Sequence, residues 1–139
     1  WPEFDANVRA AVNGALQRVC GGGSLSCRFT HVYTDGPAPY YSFSGMGRQG
    51  AELEMWAELK QAASDAVIAN GGTITHHHAV GRDHRSGYEQ ETSSVYRDAL
   101  RAAKASLDPR GVMNPGVLID PLGRKVGVTG ALRRCDRSP

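Results

Sequence analysis

The sequence, 139 residues long, predicts an α+β domain. Apolar residues recur at helical spacing from Val8 to Val19. Apolar and polar residues then alternate strictly from Leu25 to Tyr33, and helical stripes return after Gln49 and after Ser94.

The first helix has Val8, Ala11, Val12, Ala15, Leu16 and Val19 on one face, Asp5 as a candidate cap and Gly21–Gly23 as its stop. A half-buried strand follows, with Leu25, Cys27, Phe29, His31 and Tyr33 on one side and Ser26, Arg28, Thr30 and Val32 on the other. By this alternation Arg28 and His31 face opposite ways. Thr34–Asp35–Gly36–Pro37 is a turn, and Ala38–Ser44 returns as the second strand, with Pro39 near its beginning.

The second helix spans about Gln49–Ala69, with Leu53, Trp56, Leu59, Ala63, Ala66 and Val67 as its apolar side and Trp56 as a core residue. Asn70–Gly71–Gly72 stops it, because glycine accepts the left-handed conformation. Thr73–Ile74–Thr75 reads as a third extended piece, and Gly81–Gly87 as a polar turn region. A helix from Ser94 to Leu107 ends at Asp108–Pro109, and Asn114–Pro115–Gly116 is a further turn.

The predicted order is helix, strand, strand, helix, strand, helix. That is an incomplete ferredoxin-like (split βαββαβ) arrangement without its leading strand: an antiparallel sheet, helices on one face and a C-terminal helix. Residues 1–119 are expected to form the domain, and 120–139 a flexible basic tail. Trp1 is not an initiator Met, and the first residues have no signal-peptide pattern, so the chain is expected to begin inside a longer protein.

Composition narrows the function classes. Sixteen basic against fourteen acidic residues give a net charge of +2, which argues against a nucleic-acid-binding module. No apolar run reaches the length of a membrane span. Cys20, Cys27 and Cys135 are odd in number and lack C-x-x-C spacing, so neither a disulfide framework nor a metal site is signalled, and a cytoplasmic location is expected.

The chemistry concentrates in one loop. Four of the five histidines fall between His76 and His84. Imidazole titrates near neutrality and serves as acid, base, anion partner or metal ligand. In an extended segment His76 and His78 share a face and His77 takes the other. Arg82 offers a planar fork for an anion. Surface histidines, a metal site and an active-site loop all remain open on this pattern, the last being favoured. Tyr40 and Tyr41 are candidate proton carriers, against the plainer reading of one core and one surface tyrosine.

The run Asn70-Gly71-Gly72-Thr73-Ile74-Thr75-His76-His77-His78-Ala79-Val80-Gly81-Arg82 resembles the signature loop of alkyldihydroxyacetonephosphate synthases, a branch of the vanillyl-alcohol-oxidase-like flavoproteins. Cys27–Tyr33 through Gly36 and Tyr40 is similar to the strand pair before that loop. Leu107–Gly116 is similar to the closing segment of FAD-linked oxidase C-terminal domains. The sequence departs from animal members at Ala79, where they have glycine, and at Arg82, where they have lysine.

This resemblance implies a cap domain of an enzyme that exchanges the acyl chain of acyl-dihydroxyacetone phosphate for a fatty alcohol, in ether lipid synthesis. It implies non-covalent FAD acting without net redox change and bound mainly by a separate FAD-binding module. Tyr40, His76, His77 and His78 take the catalytic positions, and His76, His77, Arg82 and Asn114 those near the cofactor. The implied partners are the two lipid substrates and the FAD-binding module, with peripheral membrane contact and a homodimer left open. Two other readings stand beside it: an FAD-linked oxidase or dehydrogenase of a 2-hydroxy acid, and a stand-alone His-rich binding domain.

Overall fold

A computed structural model describes residues 1–74 and 78–119. Among them are four helices and one two-stranded sheet, in the order α1 (Pro2–Cys20), β1 (Gly23–Tyr33), β2 (Gly36–Gly45), α2 (Glu52–Ala69), α3 (Arg85–Glu91) and α4 (Ser94–Leu107).

Helix α1 starts earlier than its apolar stripe suggests. Pro2 occupies the first turn, where a missing N–H costs nothing, and Trp1 stands at the cap without a side-chain bond. Asp5 is therefore not the cap. It lies inside the first turn, where its carboxylate accepts from Arg9 Nε at 2.7 Å and from the Tyr41 hydroxyl at 2.8 Å. Gly21, at φ 72°, ends the helix, and the N–H groups of Gly21 and Gly22 turn back to the carbonyls of Gln17 and Leu16.

The hairpin pairs Leu25 with Phe43, Cys27 with Tyr41 and Phe29 with Pro39 on the face that meets α1. The opposite face carries Ser24, Ser26, Arg28, Tyr40, Ser42 and Ser44. The register shifts between Phe29 and His31, so that His31 pairs with Ala38, which shares its face with Tyr40. The alternation read from the sequence breaks there. His31 and Tyr33 move to the parity of Arg28, and the expected opposition of Arg28 and His31 is lost.

The core is Val8, Val12, Ala15 and Leu16 of α1 with Leu59 and Ala66 of α2, flanked by Phe4, Leu25, Tyr41, Phe43 and Val67. Full burial of a side chain such as Leu16 stabilises by roughly 1.5–3 kcal/mol. Ala11 falls outside this seam and is exposed. Helix α2 turns Met55, Leu59 and Ala66 inward. Leu53 and Trp56 are exposed, Trp56 at 51%, contrary to the core role expected of it. At 100° per residue they lie on the flank of the stripe centred on Leu59 and Ala66.

Two elements differ from expectation. Thr73 and Ile74 form no strand; their local partner is Glu91, which accepts from Thr73 Oγ1 at 2.8 Å and from the Ile74 N–H at 3.0 Å. Thr75 lies outside the described residues. Part of the expected turn region is instead helix α3. It has no apolar stripe, and what seats it is Gly87, buried where a Cβ would meet the tips of Ile74 and Ile68. The α+β class stands, with α1 packed on the hairpin and α2 packed on α1 and α3. The third strand is absent from the described residues, and the expected tail of 120–139 lies outside them.

Helix α4 matches its sequence reading. Ser93 Oγ accepts from the Tyr96 N–H at 3.3 Å at the start. After the helix, Asp108 accepts from the N–H groups of Val112 and Met113 and from Lys104. These bonds hold its carboxyl below the usual carboxylate range, the Met113 N–H contributing most.

Candidate functional site

A cavity of about 750 Å³ lies between the outer half of the hairpin and the segment from α2 to the histidine loop. The hairpin brings Tyr33, Pro37, Pro39, Tyr40 and Phe43 to one wall. Trp1, at the cap of α1, and Phe4, in its first turn, also line the cavity. The other wall is Lys60, Ala63, Ser64 and Val67 of α2, the Gly71–Ile74 backbone, His78 and His84.

Local chemistry explains why these residues converge. The turn at Thr34–Asp35 needs Gly36 at φ 143°, a conformation open mainly to glycine. Gly71, at φ 79°, turns the chain off α2, and Gly72 packs so closely on Phe4 and Val67 that a Cβ would lie 2.9 Å from each. The two glycines thereby bring the entry of the histidine loop against α1. Glu91 then ties Thr73 and Ile74 to α3. His84 stands at the N-terminal end of that helix.

Tyr40 is 41% exposed, and the guanidinium carbon of Arg28 stands 4.9 Å from its ring centroid. Arg28 is thus a partner of the candidate tyrosine. Cross-strand register decides this pairing, which strand alternation alone does not give. Tyr41 also borders the cavity, but it lies on the strand face that meets α1 and its hydroxyl is bonded to Asp5. Burial, more than its bond to Asp5, raises its hydroxyl pKa well above the normal tyrosine value, so it stays protonated at neutral pH. Tyr40 and Tyr41 are one outward and one inward residue.

Tyr40 and His78 line the same cavity. His76 and His77 lie outside the described residues. Arg82 and Asn114 are not among the residues lining it. Arg82 Nη2 donates to the Pro115 carbonyl at 2.9 Å, beside a bond from the Leu118 N–H to the Gly81 carbonyl at 3.0 Å. Asn114 holds a left-handed conformation at φ 46°, one residue before Pro115. Arg82 and Asn114 are therefore joined through a loop-to-loop contact. Lys60 is a lining residue that sequence reasoning passed over, and His84, counted in the histidine cluster, was given no role of its own. Lys60 falls four residues before Ser64 and seven before Val67, a helical spacing that could have marked it.

The FAD implied by the resemblance can be weighed against this lining. An isoalloxazine is a flat ring system with polar groups at its edge. Aromatic and proline walls with His78 and Tyr40 at hand suit such a ring, or a substrate lying beside it. A pyrophosphate calls for clustered N–H donors or several fixed cations, and the fixed cation of this lining is Lys60. The residues fit the ring end of FAD and not its phosphates. Among the described residues no group of three or more metal-ligating side chains occurs, and no helix is long and apolar enough to cross a membrane.

Residues 5–118 match the family model described as FAD linked oxidases, C-terminal domain. The chain is 36% identical over 100 residues to an alkyldihydroxyacetonephosphate synthase of Caenorhabditis elegans, covering 70% of this chain and 17% of that protein. It is 28% identical over 95 residues to the enzyme of the same name from Trypanosoma brucei brucei, covering 68% of this chain and 16% of that protein. It is also 33% identical over 78 residues to glycolate oxidase subunit GlcD of Bacillus subtilis, covering 56% of this chain and 17% of that protein. The chain spans about a sixth of the length of these relatives. It belongs to the FAD-linked oxidases as their C-terminal domain, and FAD is the cofactor this family implies.

Proposed function

We propose that the chain is the C-terminal catalytic and cap portion of an FAD-dependent alkyldihydroxyacetonephosphate synthase. The reaction is exchange of the acyl chain of acyl-dihydroxyacetone phosphate for a fatty alcohol. The observation that carries this reading is the shared cavity of Tyr40 and His78 under an apolar, aromatic wall. Similarity to synthases of that name, at 36% and 28% identity, supports it.

Exchange at the ester-bearing carbon requires a proton to leave and to return. Tyr40 and the His76–His78 run are the proposed acid–base groups, with Arg28 positioning the Tyr40 ring. FAD, when bound, supplies an electron-accepting ring without net redox change. His76 and His77 are proposed to border that ring. The contact between Arg82 and Pro115 favours a supporting role for Arg82 and Asn114, holding the loop beside the cofactor. The order α1-β1-β2-α2 is also that of the central part of a split βαββαβ unit, which supports a ferredoxin-like cap as the finer fold.

The test is made on the intact enzyme, with its FAD-binding module and FAD in place. Tyr40→Phe and His78→Ala should each lower exchange by at least about a hundredfold, the scale of a lost acid–base group, with flavin absorbance retained. Undiminished turnover in both variants rejects the assignment. Similarity to a glycolate oxidase subunit favours, as a second reading, an oxidase or dehydrogenase of a 2-hydroxy acid. Bleaching of the flavin by such an acid, without acyl exchange, would decide for it.

A further inference from the structure

The two walls of the cavity differ in charge. The hairpin wall is aromatic and proline-rich, with Asp35 at the turn as its charged group. The facing wall carries Lys60 on α2 and the imidazoles of His78 and His84. Lys60 is half-buried, and no carboxylate of the described residues lies within ion-pair distance of its ammonium. Asp83 borders the small cleft on the other side of Lys60 without pairing to it. The acids of α2 do not line the cavity.

A lysine with no carboxylate partner among the described residues, set in a largely aromatic and aliphatic lining, offers an anion a charge-assisted contact beside apolar surface. Its neighbours in the cavity are suited to a hydrocarbon. Ala63 and Val67 follow Lys60 on the same helix, and Trp1, Phe4 and Phe43 lie beyond. The combination is that of a site for an amphiphile: an anionic group at one wall, a chain or ring along the rest.

We propose that Lys60, with His78 and His84 beside it, binds the anionic group of the substrate, and that the cavity takes an amphiphilic anion with its apolar part against Trp1, Phe4 and Phe43. This deepens the functional reading above, because it names the residue that recognises a phosphate or carboxylate. It does not depend on which reaction follows. A phosphate monoester and a carboxylate present the same charge-assisted acceptors to Lys60.

The experiment is calorimetric titration of the intact enzyme, with its FAD-binding module and FAD in place, with dodecyl phosphate, dodecanoate and dodecanol, in parallel with Lys60→Met and Lys60→Arg. The anionic probes should bind more tightly than dodecanol. Lys60→Met should weaken the anionic probes by about tenfold or more, the scale of a lost charge-assisted bond, and leave dodecanol within about twofold. Lys60→Arg should recover most of the anion affinity. The stronger of the two anions identifies the head group. Equal weakening of all three probes by Lys60→Met, no weakening of any, or no preference of the unaltered protein for anions overturns the proposal. Absence of acyl exchange with these binding results intact would overturn the reaction assigned above and leave the Lys60 site standing.

Discussion

The Tyr41 hydroxyl donates a 2.8 Å hydrogen bond to Asp5 Oδ1, joining the inner face of the hairpin to the first turn of α1. Arg9 holds the other carboxylate oxygen at 2.7 Å, and its guanidinium carbon lies 6.0 Å from the Tyr41 ring centroid. Three side chains from two elements thus close the seam beside Cys27, which pairs with Tyr41 across the strands. Tyr41→Phe keeps the ring and removes the donor. It should destabilise the protein by about 1 kcal/mol, read from the urea midpoint at unchanged slope. No change in midpoint would mean that the bond contributes nothing beyond what water supplies.

Acid should loosen the closing segment through Asp108. Three donors favour its ionised form, and the folded pKa lies below the unfolded one. Its contribution to stability is complete above the unfolded value of about 4 and is lost as pH falls through the lower folded value. Asp108→Asn should lower stability at neutral pH and flatten the fall in thermal midpoint below about pH 4. A variant with the same acid limb as the unaltered protein would remove Asp108 from that transition.

Glu91 is an exposed residue with a positional task, since it receives both Thr73 and the Ile74 N–H at the entry of the histidine loop. Glu91→Ala should accelerate hydrogen exchange of the Ile74 amide by about tenfold, corresponding to one lost hydrogen bond. Global stability should change by less than about 1 kcal/mol, as for most surface substitutions. Unchanged exchange at Ile74 would show that Gly72 packing alone holds the loop entry.

Much of the fold was legible because its signals are local. The stripe from Val8 to Leu16, the stop at Gly21 and the stop of α4 before Pro109 each act within a few residues of the structure they set. Leu53 and Trp56 show where such reading ends. Apolar character marked them as core, but the helix has only one covered face, and its direction is chosen by α1. Helix α3 was illegible for the converse reason. Its seven residues have no apolar period, and it is held by Gly87 meeting Ile74 and Ile68 and by the bonds to Glu91.

The candidate site divides in the same way. Its residue types were plain in the sequence, because a run of histidines near glycines and an arginine is rare and chemically pointed. The company each residue keeps was not. The bulge near Thr30 changes which side chains share a face, and cross-strand register places Arg28 at Tyr40. By itself the sequence determined α1, α2, α4, the hairpin and the presence of an imidazole-rich segment, since hydrophobic period and turn chemistry operate over a few neighbouring positions. Only the tertiary structure decided that Tyr40, His78 and Lys60 border one cavity and that Arg82 reaches Pro115. Those neighbours are separated by tens of residues, and packing of α1 on the hairpin and of α2 on α1 sets their meeting.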